Sequence, residues 1–523
     1  MLQAVPAAAQ AAAPAVSYVP LWVIGGYLAV LIGLGLASMR SFRGTSKDYF
    51  TASNTVGPVL LLLSVFGTTM TAFAMVGSTA KSFEQGIGTY TLMASSSGIV
   101  HSLVFFLVGI RLWAIGKRHG HVTQVQYFRD RFESNGFGSL LFPILVLLVI
   151  PYVLTGFIGA GTFVQGATRG MFPETFATGE PATNGAVPPW LTILVVMFVV
   201  LFYIFQGGVR GAIWANAFQT VMFLVAGVAA VYMIQRSLGG FAAASQAVLE
   251  KSPGHLVREG KIGHGEFLSY MLVPLSVGMF PHLFQNWLTA KDAKSFRTVL
   301  VFHPIFILVV WLPCVLIGVW AVGQGLKPAT SNATLGMMMT KYVSDPVVRG
   351  LVQAGTIAAI MSMDSQIMAL GTMFTEDVVV HLKGKGMVSD KEQVWWSRAF
   401  ILVIMGLSYF LAMYPPPNVF DLGVWCFSGF AGLFPLVVAS IYWKRVTTAG
   451  AYASVLAMLA VWGVLFWRGL VAPALAGAKK VEEPLVLGVM PVVWVVLAAG
   501  AALVLVSLAT RPPSDKTLQK YFA

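Results

Sequence analysis

Charge is scarce in this chain. Of its 523 residues 57% are hydrophobic and only 10% charged, where an ordinary soluble protein is about a quarter charged. So few charges cannot clothe a water-soluble surface of this size, and lipid contact must replace the missing polar surface. Cysteine is almost absent: Cys314 and Cys426 are the only two, each inside an apolar run, which leaves no basis for a disulfide scaffold or a cysteine zinc site. The opening MLQAVPAAAQAAAPAV has none of the basic residues that begin a cleaved signal peptide. The first strong apolar run is therefore expected to stay as an anchor. The eight histidines are scattered, and neither paired carboxylates nor histidines at ligand spacing converge as an enzyme would need. No filter motif or ring of charge suggests a passive channel.

The net charge of +13 points to membrane insertion rather than to nucleic acid. Lys and Arg fall in short segments between apolar runs, as the positive-inside rule produces, and no contiguous basic face could follow a phosphate backbone. About 20 apolar residues span the hydrocarbon core. That length picks out thirteen candidate spans: 19–39, 58–78, 90–116, 137–164, 189–206, 211–234, 267–288, 299–323, 352–380, 399–413, 420–443, 449–467 and 486–508. The tenth is short. The fifth and sixth are parted only by Gly207–Arg210, a Gly-Gly turn suited to a tight hairpin. The basic loops place the N-terminus outside and the C-terminus in the cytoplasm of a multi-pass protein of the cell's inner (plasma) membrane. Between the third and fourth spans, VTQVQYFRDRF reads as a short amphipathic surface helix. Val122, Val125 and Phe128 or Phe132 would face lipid, with Arg129 and Arg131 near headgroups.

Two spans are built wrongly for simple anchors. The second carries Ser64, Gly67, Thr68, Thr69 and Thr71; the ninth carries Ser362, Asp364, Ser365 and Gln366. An acid at that depth is costly unless it faces protein or water, and marks a functional site by default. Alkali-ion coordination fits, since a hard monovalent cation takes backbone carbonyls from a broken helix and hydroxyls from its neighbour. The other reading of the same residues is close helix packing through Ser, Thr and Gly.

These residues resemble the sodium/solute symporter family, which includes bacterial sodium-coupled galactose, proline, pantothenate and sialic-acid transporters. The likeness runs from about Asp48 to Arg445. Lys47-Asp48-Tyr49-Phe50 and the following Ser64 to Gly77 run look like the family's first core helix and its entry. Gly207-Gly208 through Trp214-Ala215-Asn216-Ala217-Phe218-Gln219 resembles its Gly-Gly…Trp-Thr-Asp segment. Gln285 to Asp292 is similar to its Gln-Arg-x-Leu-Ala-Ala-Lys loop. Phe374-Thr375-Glu376-Asp377 is similar to the end of its eighth core helix, and Phe434-Pro435 with Tyr442-Trp443-Lys444-Arg445 to the end of its tenth.

The resemblance implies an all-α membrane protein with a leucine-transporter-like core of two inverted five-helix repeats. It would be organised as a short extracellular segment 1–18, an added first helix 19–39, a ten-helix core 58–445, two added helices 449–508 and a cytoplasmic tail 509–523. It implies sodium-coupled symport of a small organic solute by alternating access, with sodium as coupling ion and no other cofactor. A proton-coupled symporter, or a non-transporting solute sensor on the same scaffold, is the alternative. Carried over by position, the sodium ligands are the carbonyls of Gly67, Met70, Ala358 and Met361 and the Ser362 hydroxyl. Met361 stands where the family commonly has a second hydroxyl. Asn216 replaces the family's usual Asp, which together with Asp364 leaves a candidate second ion or proton site and points to one sodium per cycle. The solute positions are Thr69, Thr71, Ser97, Ser276 and Trp425, with His101 close by. No Lys or Arg lies mid-membrane on these helices, so a carboxylate would be held by hydroxyls, backbone N–H groups and a half-helix dipole. The expected partners are the solute, sodium and lipid; a single subunit suffices for transport.

Overall fold

In hydrocarbon every backbone N–H and C=O must find its partner within the protein, which restricts an apolar chain of this kind to helices. The computed structural model describes residues 17–40, 45–52, 56–181, 183–414, 418–477 and 484–522. Among these the regular structure is helical throughout, and only two isolated bridges, Val56 with Ala290 and Val486 with Val489, pair extended backbone. The expected extracellular segment 1–18 lies outside the described residues except for Ser17 and Tyr18.

Ten helices are individually long and apolar enough to cross a membrane, and two bent pairs join them. One of the ten, Pro189–Ser237, has 49 residues, about 74 Å at 1.5 Å per residue and more than twice the hydrocarbon core. It breaks at Gly208, whose φ of 55° and ψ of −145° are not helical, and so supplies the fifth and sixth spans. Counted this way the described residues hold thirteen spans, matching the hydropathy reading. The tenth is longer than the apolar run suggested: Asp390–Leu411 has 22 residues, because a polar first turn capped by Ser389 precedes the lipid-facing part.

The two bent pairs fix the topology. The second span is Pro58–Thr69 followed by Phe73–Gln85, turned by 57°, and the seventh is His264–Gly278 followed by Pro281–Thr289, turned by 52°. They lie five spans apart. An odd separation makes them cross in opposite directions, which is what an inverted pair of five-helix repeats with a broken first helix requires.

The surface helix forms at Gln124–Arg131, opened by a full capping box between Thr123 and Gln126. Its expected lipid-facing side is a correction. Val125, Phe128 and Phe132 are buried in protein, and the two arginines turn inward rather than to headgroups. Arg129 reaches the Asp377 carboxylate at 3.4 Å, and Arg131 Nε donates to the Ser440 carbonyl at 2.8 Å. The periodicity was amphipathic, but the apolar stripe is covered by span ends, not lipid. The C-terminal helix Asp515–Phe522 docks on the same element, with Lys520 Nζ 2.5 Å and Tyr521 Oη 2.7 Å from Asp130.

Gly208 is where the hairpin depends on one side chain being absent. A Cβ there would lie 2.6 Å from the Tyr49 carbonyl oxygen, and the positive φ disfavours any L-residue. Gly208→Ala should therefore cost at least ~1–3 kcal/mol and lower the melting temperature of the purified protein by several degrees. Gly25→Ala, with nothing within 4 Å of its added Cβ, should leave it unchanged; equal melting of the two variants would refute this account of the hairpin.

Candidate functional site

The second span stops being helical where its sequence becomes crowded with hydroxyls. The first half ends at Thr69, and Met70 leaves the helical region at φ −96°, ψ 82°. The last four carbonyls of a helix have no partner within it; here the Met70 amide still donates to the Phe66 carbonyl at 3.0 Å, and the carbonyls past that last bond are those of Gly67 to Met70. The Thr69 hydroxyl bends back to the Phe66 and Val65 carbonyls at 2.9 and 3.1 Å. The Thr71 hydroxyl accepts from the Phe73 amide at 3.3 Å, opening the second half. Oxygens are thus concentrated in a turn that is wholly buried.

Facing it, the ninth span is interrupted by one 3₁₀ turn at Met361–Met363, between Pro346–Ile360 and Asp364–Phe374. A tightened turn in mid-helix shifts the carbonyl ladder and often marks a functional point. The Ser362 hydroxyl crosses the gap: it lies 3.2 Å from the Met70 carbonyl oxygen and 2.7 Å from that of Ala359. Met70, Ala358, Met361 and Ser362 are all 1% exposed or less. Gly67 lets the sixth span close in, since a Cβ at that position would meet Thr220 Oγ1 at 2.5 Å and the Asn216 carbonyl at 2.9 Å. The five expected cation residues therefore sit on two interrupted helices joined by one side-chain contact. Carbonyl oxygens with one hydroxyl form a neutral, hard donor set, suited to a monovalent cation and not to a transition metal.

Beside this turn a cavity is walled by Thr69, Met70, Phe73, Ser97, His101, Tyr152, Tyr270, Ser276, Phe280, Trp311 and Phe427, among others. Thr69, Ser97 and Ser276 of the expected solute positions line it. Thr71 and Trp425 do not. Trp425 instead turns toward the twelfth span, with its ring 5.6 Å from that of Phe466 and its carbonyl accepting from Trp462 Nε1 at 2.8 Å. Phe427, two residues on, takes the inward place and packs edge-on against Tyr152 and Phe73 at 5.1 and 5.0 Å. The aromatic walls Phe73, Tyr152, Phe280 and Phe427 escaped the sequence reading. In a chain 12% aromatic nothing in their spacing distinguishes an inward ring from a lipid-facing one. About 30 Å³ of water-sized space remains in the cavity, room for a water or so, so an organic solute enters only if these rings part.

Asn216 and Asp364 meet directly. Asn216 Nδ2 donates to Asp364 Oδ1 at 2.9 Å and to Ser365 Oγ at 2.8 Å, while the Tyr203 hydroxyl donates to Asp364 Oδ2 at 3.0 Å. The acid thus ties the fifth, sixth and ninth spans together. Asn216 Oδ1 and Thr68 Oγ1 are buried acceptor oxygens without a partner among the described residues.

Two sets of polar links tie the spans around the cavity. On one side Lys81 Nζ is 3.6 Å from Asp421 and 5.0 Å from the centre of the Phe420 ring. On the other, Gln124 Nε2 donates to the Met279 carbonyl at the break of the seventh span, and the Thr123 hydroxyl donates to Asp377 at 2.7 Å.

The model of the sodium:solute symporter family matches residues 49–177 and 183–457. A sodium/proline symporter of Staphylococcus aureus (strain JH9) is 24% identical over 469 residues, covering 86% of each chain. Among solved structures, a Na+-coupled sialic acid symporter in a substrate-bound outward-open state aligns over 95% of this chain and 99% of its own, with a TM-score of 0.71 at 17% identity. A nucleobase-cation-symport-1 family transporter in a closed conformation covers 90% of this chain and 97% of its own at a TM-score of 0.54 and 12% identity. Both share the fold.

Removing the bridging hydroxyl tests the cation reading. A hydrogen-bond-scale contact to a charge is worth about 1.5 kcal/mol or more, roughly tenfold in affinity. Ser362→Ala should raise the sodium concentration for half-maximal uptake by about that factor, and Met361→Ser should lower it. Unchanged half-saturation in both would remove this turn from the site.

Proposed function

Since the chain belongs to the sodium:solute symporter family, we propose that the turn joining Met70 to Ser362 is where its sodium binds and that the cavity beside it takes the solute. The protein is a multi-pass membrane transporter, not an enzyme, and couples sodium entry to symport of a small organic solute. One observation carries the assignment of the site: Ser362 meets Met70 at the break of the second span, and Met70 with Thr69 also lines the cavity. Ion and solute then share a single bent segment. A sodium ion held by the carbonyls of Gly67, Met70, Ala358 and Met361 and the Ser362 hydroxyl stiffens that segment and sets Thr69 for the solute. Each ligand is bound more tightly when the other is present, and the coupling is reciprocal.

The core is 58–445, with 19–39 and 449–508 as added helices, in an inner (plasma) membrane with the N-terminus outside. On that orientation Lys81–Asp421 closes the outer side and the Thr123, Gln124 and Arg129 contacts close the inner side. Alternating access opens one set while the other holds. One subunit contains the whole pathway. Asn216 and Asp364 are the candidate second ion or proton site, supported by the unpartnered Asn216 Oδ1; with an amide in place of an acid, one sodium per cycle is the stoichiometry we propose.

The solute is a small organic molecule with polar groups for Ser97, Ser276 and Thr69 and an apolar body for the aromatic walls. The name of the Staphylococcus relative makes L-proline the first compound to try. The assay is uptake into proteoliposomes from a panel of labelled amino acids, small carboxylates, vitamins and polyols. Replacing sodium by potassium outside should cut uptake of the transported solute at least tenfold. Uptake that ignores sodium and follows a pH gradient would make this a proton symporter, and saturable binding with no uptake would make it a sensor.

A further inference from the structure

Two histidines meet in the wall of the cavity. His101 on the third span and His303 on the eighth place Nδ1 and Nε2, respectively, 3.1 Å apart. The spans come close at this level, with the Ser102 hydroxyl donating to the Leu300 carbonyl at 3.1 Å and Pro304 only 3.6 Å from where a Cβ on Gly98 would lie. His303 has no exposure at all, and the Phe66 and Phe105 rings stand edge-on to it at 5.2 and 5.0 Å. His101 keeps 7% exposure and lines the cavity.

A neutral pair in this contact shares one proton between the facing nitrogens, so only two arrangements exist. In one, His101 Nδ1–H donates to His303, whose own proton then sits on Nδ1. That nitrogen is buried with no partner, and an orphaned buried N–H is the costlier kind of unmet group. In the other, His303 Nε2–H donates to His101 Nδ1, and His303 Nδ1 is left as a bare lone pair among aromatic rings. The second arrangement also gives both rings the tautomer that free histidine favours. It forces the remaining proton of His101 onto Nε2, the nitrogen that does not face His303.

We infer that His303 is a positioning residue which fixes His101 as a neutral N–H donor in the wall of the solute cavity, so that His101 selects solutes offering an acceptor oxygen at that point. The inference rests on reading the cavity as the solute site. Thr69 complements it: its hydroxyl proton is committed to the Val65 and Phe66 carbonyls, so toward the cavity it offers only lone pairs. His101 and Thr69 thus give the wall a donor and an acceptor of fixed sense. A molecule with a carboxylate, carbonyl or hydroxyl oxygen toward His101 and a donor toward Thr69 satisfies both; a solute with a bare ammonium toward His101 leaves two donors opposed.

The tautomer can be read without any solute. In the full-length protein, labelled with ¹⁵N-histidine and held in lipid bilayers with sodium, solid-state NMR separates protonated from bare ring nitrogens. His101 and His303 should both show Nε2 protonated and Nδ1 bare, and water should contact the His101 Nε2–H but not the His303 ring. His303→Gln retains a side-chain N–H able to donate to His101 Nδ1 and should preserve the single His101 form. His303→Phe offers no donor, and His101 should then split between tautomers. His101 protonated on Nδ1 or on both nitrogens, water contact on His303 instead, or identical His101 signals in the two variants would overturn the inference. Should a variant not fold, the spectrum of the unmodified protein alone decides. Because no transport is measured, such a failure leaves sodium-coupled symport standing, and loss of sodium dependence in uptake leaves the tautomer unaffected.

Discussion

The contact between Ser362 and the Met70 carbonyl joins the two places where a membrane helix gives up its own hydrogen bonding. A carbonyl freed in the bilayer interior costs several kcal/mol unless something in the protein meets it. The second span leaves the helix at Met70, the ninth tightens at Met361–Met363, and each break lies within reach of the other. The arrangement makes chemical sense when the oxygens exposed by both breaks serve a cation, because the binding energy of the ion then offsets the lost helix bonds.

The cavity proposed for the solute is placed by the same break. Thr69 and Met70 belong both to the oxygen-rich turn and to the cavity wall, so occupancy of one alters the backbone that shapes the other. The cavity holds only about 30 Å³ of water-sized space, too little for an organic solute without movement of its aromatic walls. In the proposed alternating access the bent halves would swing about the 57° and 52° breaks of the second and seventh spans. The proposed sodium thus sits at a hinge rather than on a rigid wall, which is where an ion can change the balance between conformations.

Much of this was legible in the amino-acid sequence, for identifiable reasons. Span number followed from hydropathy because lipid demands long apolar helices, and the Gly207-Gly208 hairpin followed from the one residue type that accepts its backbone. Thr69, Ser362 and Asp364 stood out because polar groups deep in apolar runs are rare. Surroundings were harder to read. The surface helix 124–131 has an apolar stripe whether lipid or protein covers it, and only tertiary contacts show that Val125 and Phe128 are buried against span ends. Trp425 and Phe427 are both aromatic and two residues apart on one helix, about 200° around its axis; choosing which faces the cavity takes the packing of the twelfth span. The His101–His303 pair joins residues 202 positions apart and left no local pattern to find.

In the proposed coupling a sodium ion rests between the second and ninth spans before any solute arrives. Equilibrium binding of ²²Na⁺ to the purified protein, with no organic solute present, measures this directly. Saturable binding of about one ion per chain, displaced by unlabelled sodium but not by potassium, is the predicted result. No saturable binding, or equal displacement by potassium, would contradict it.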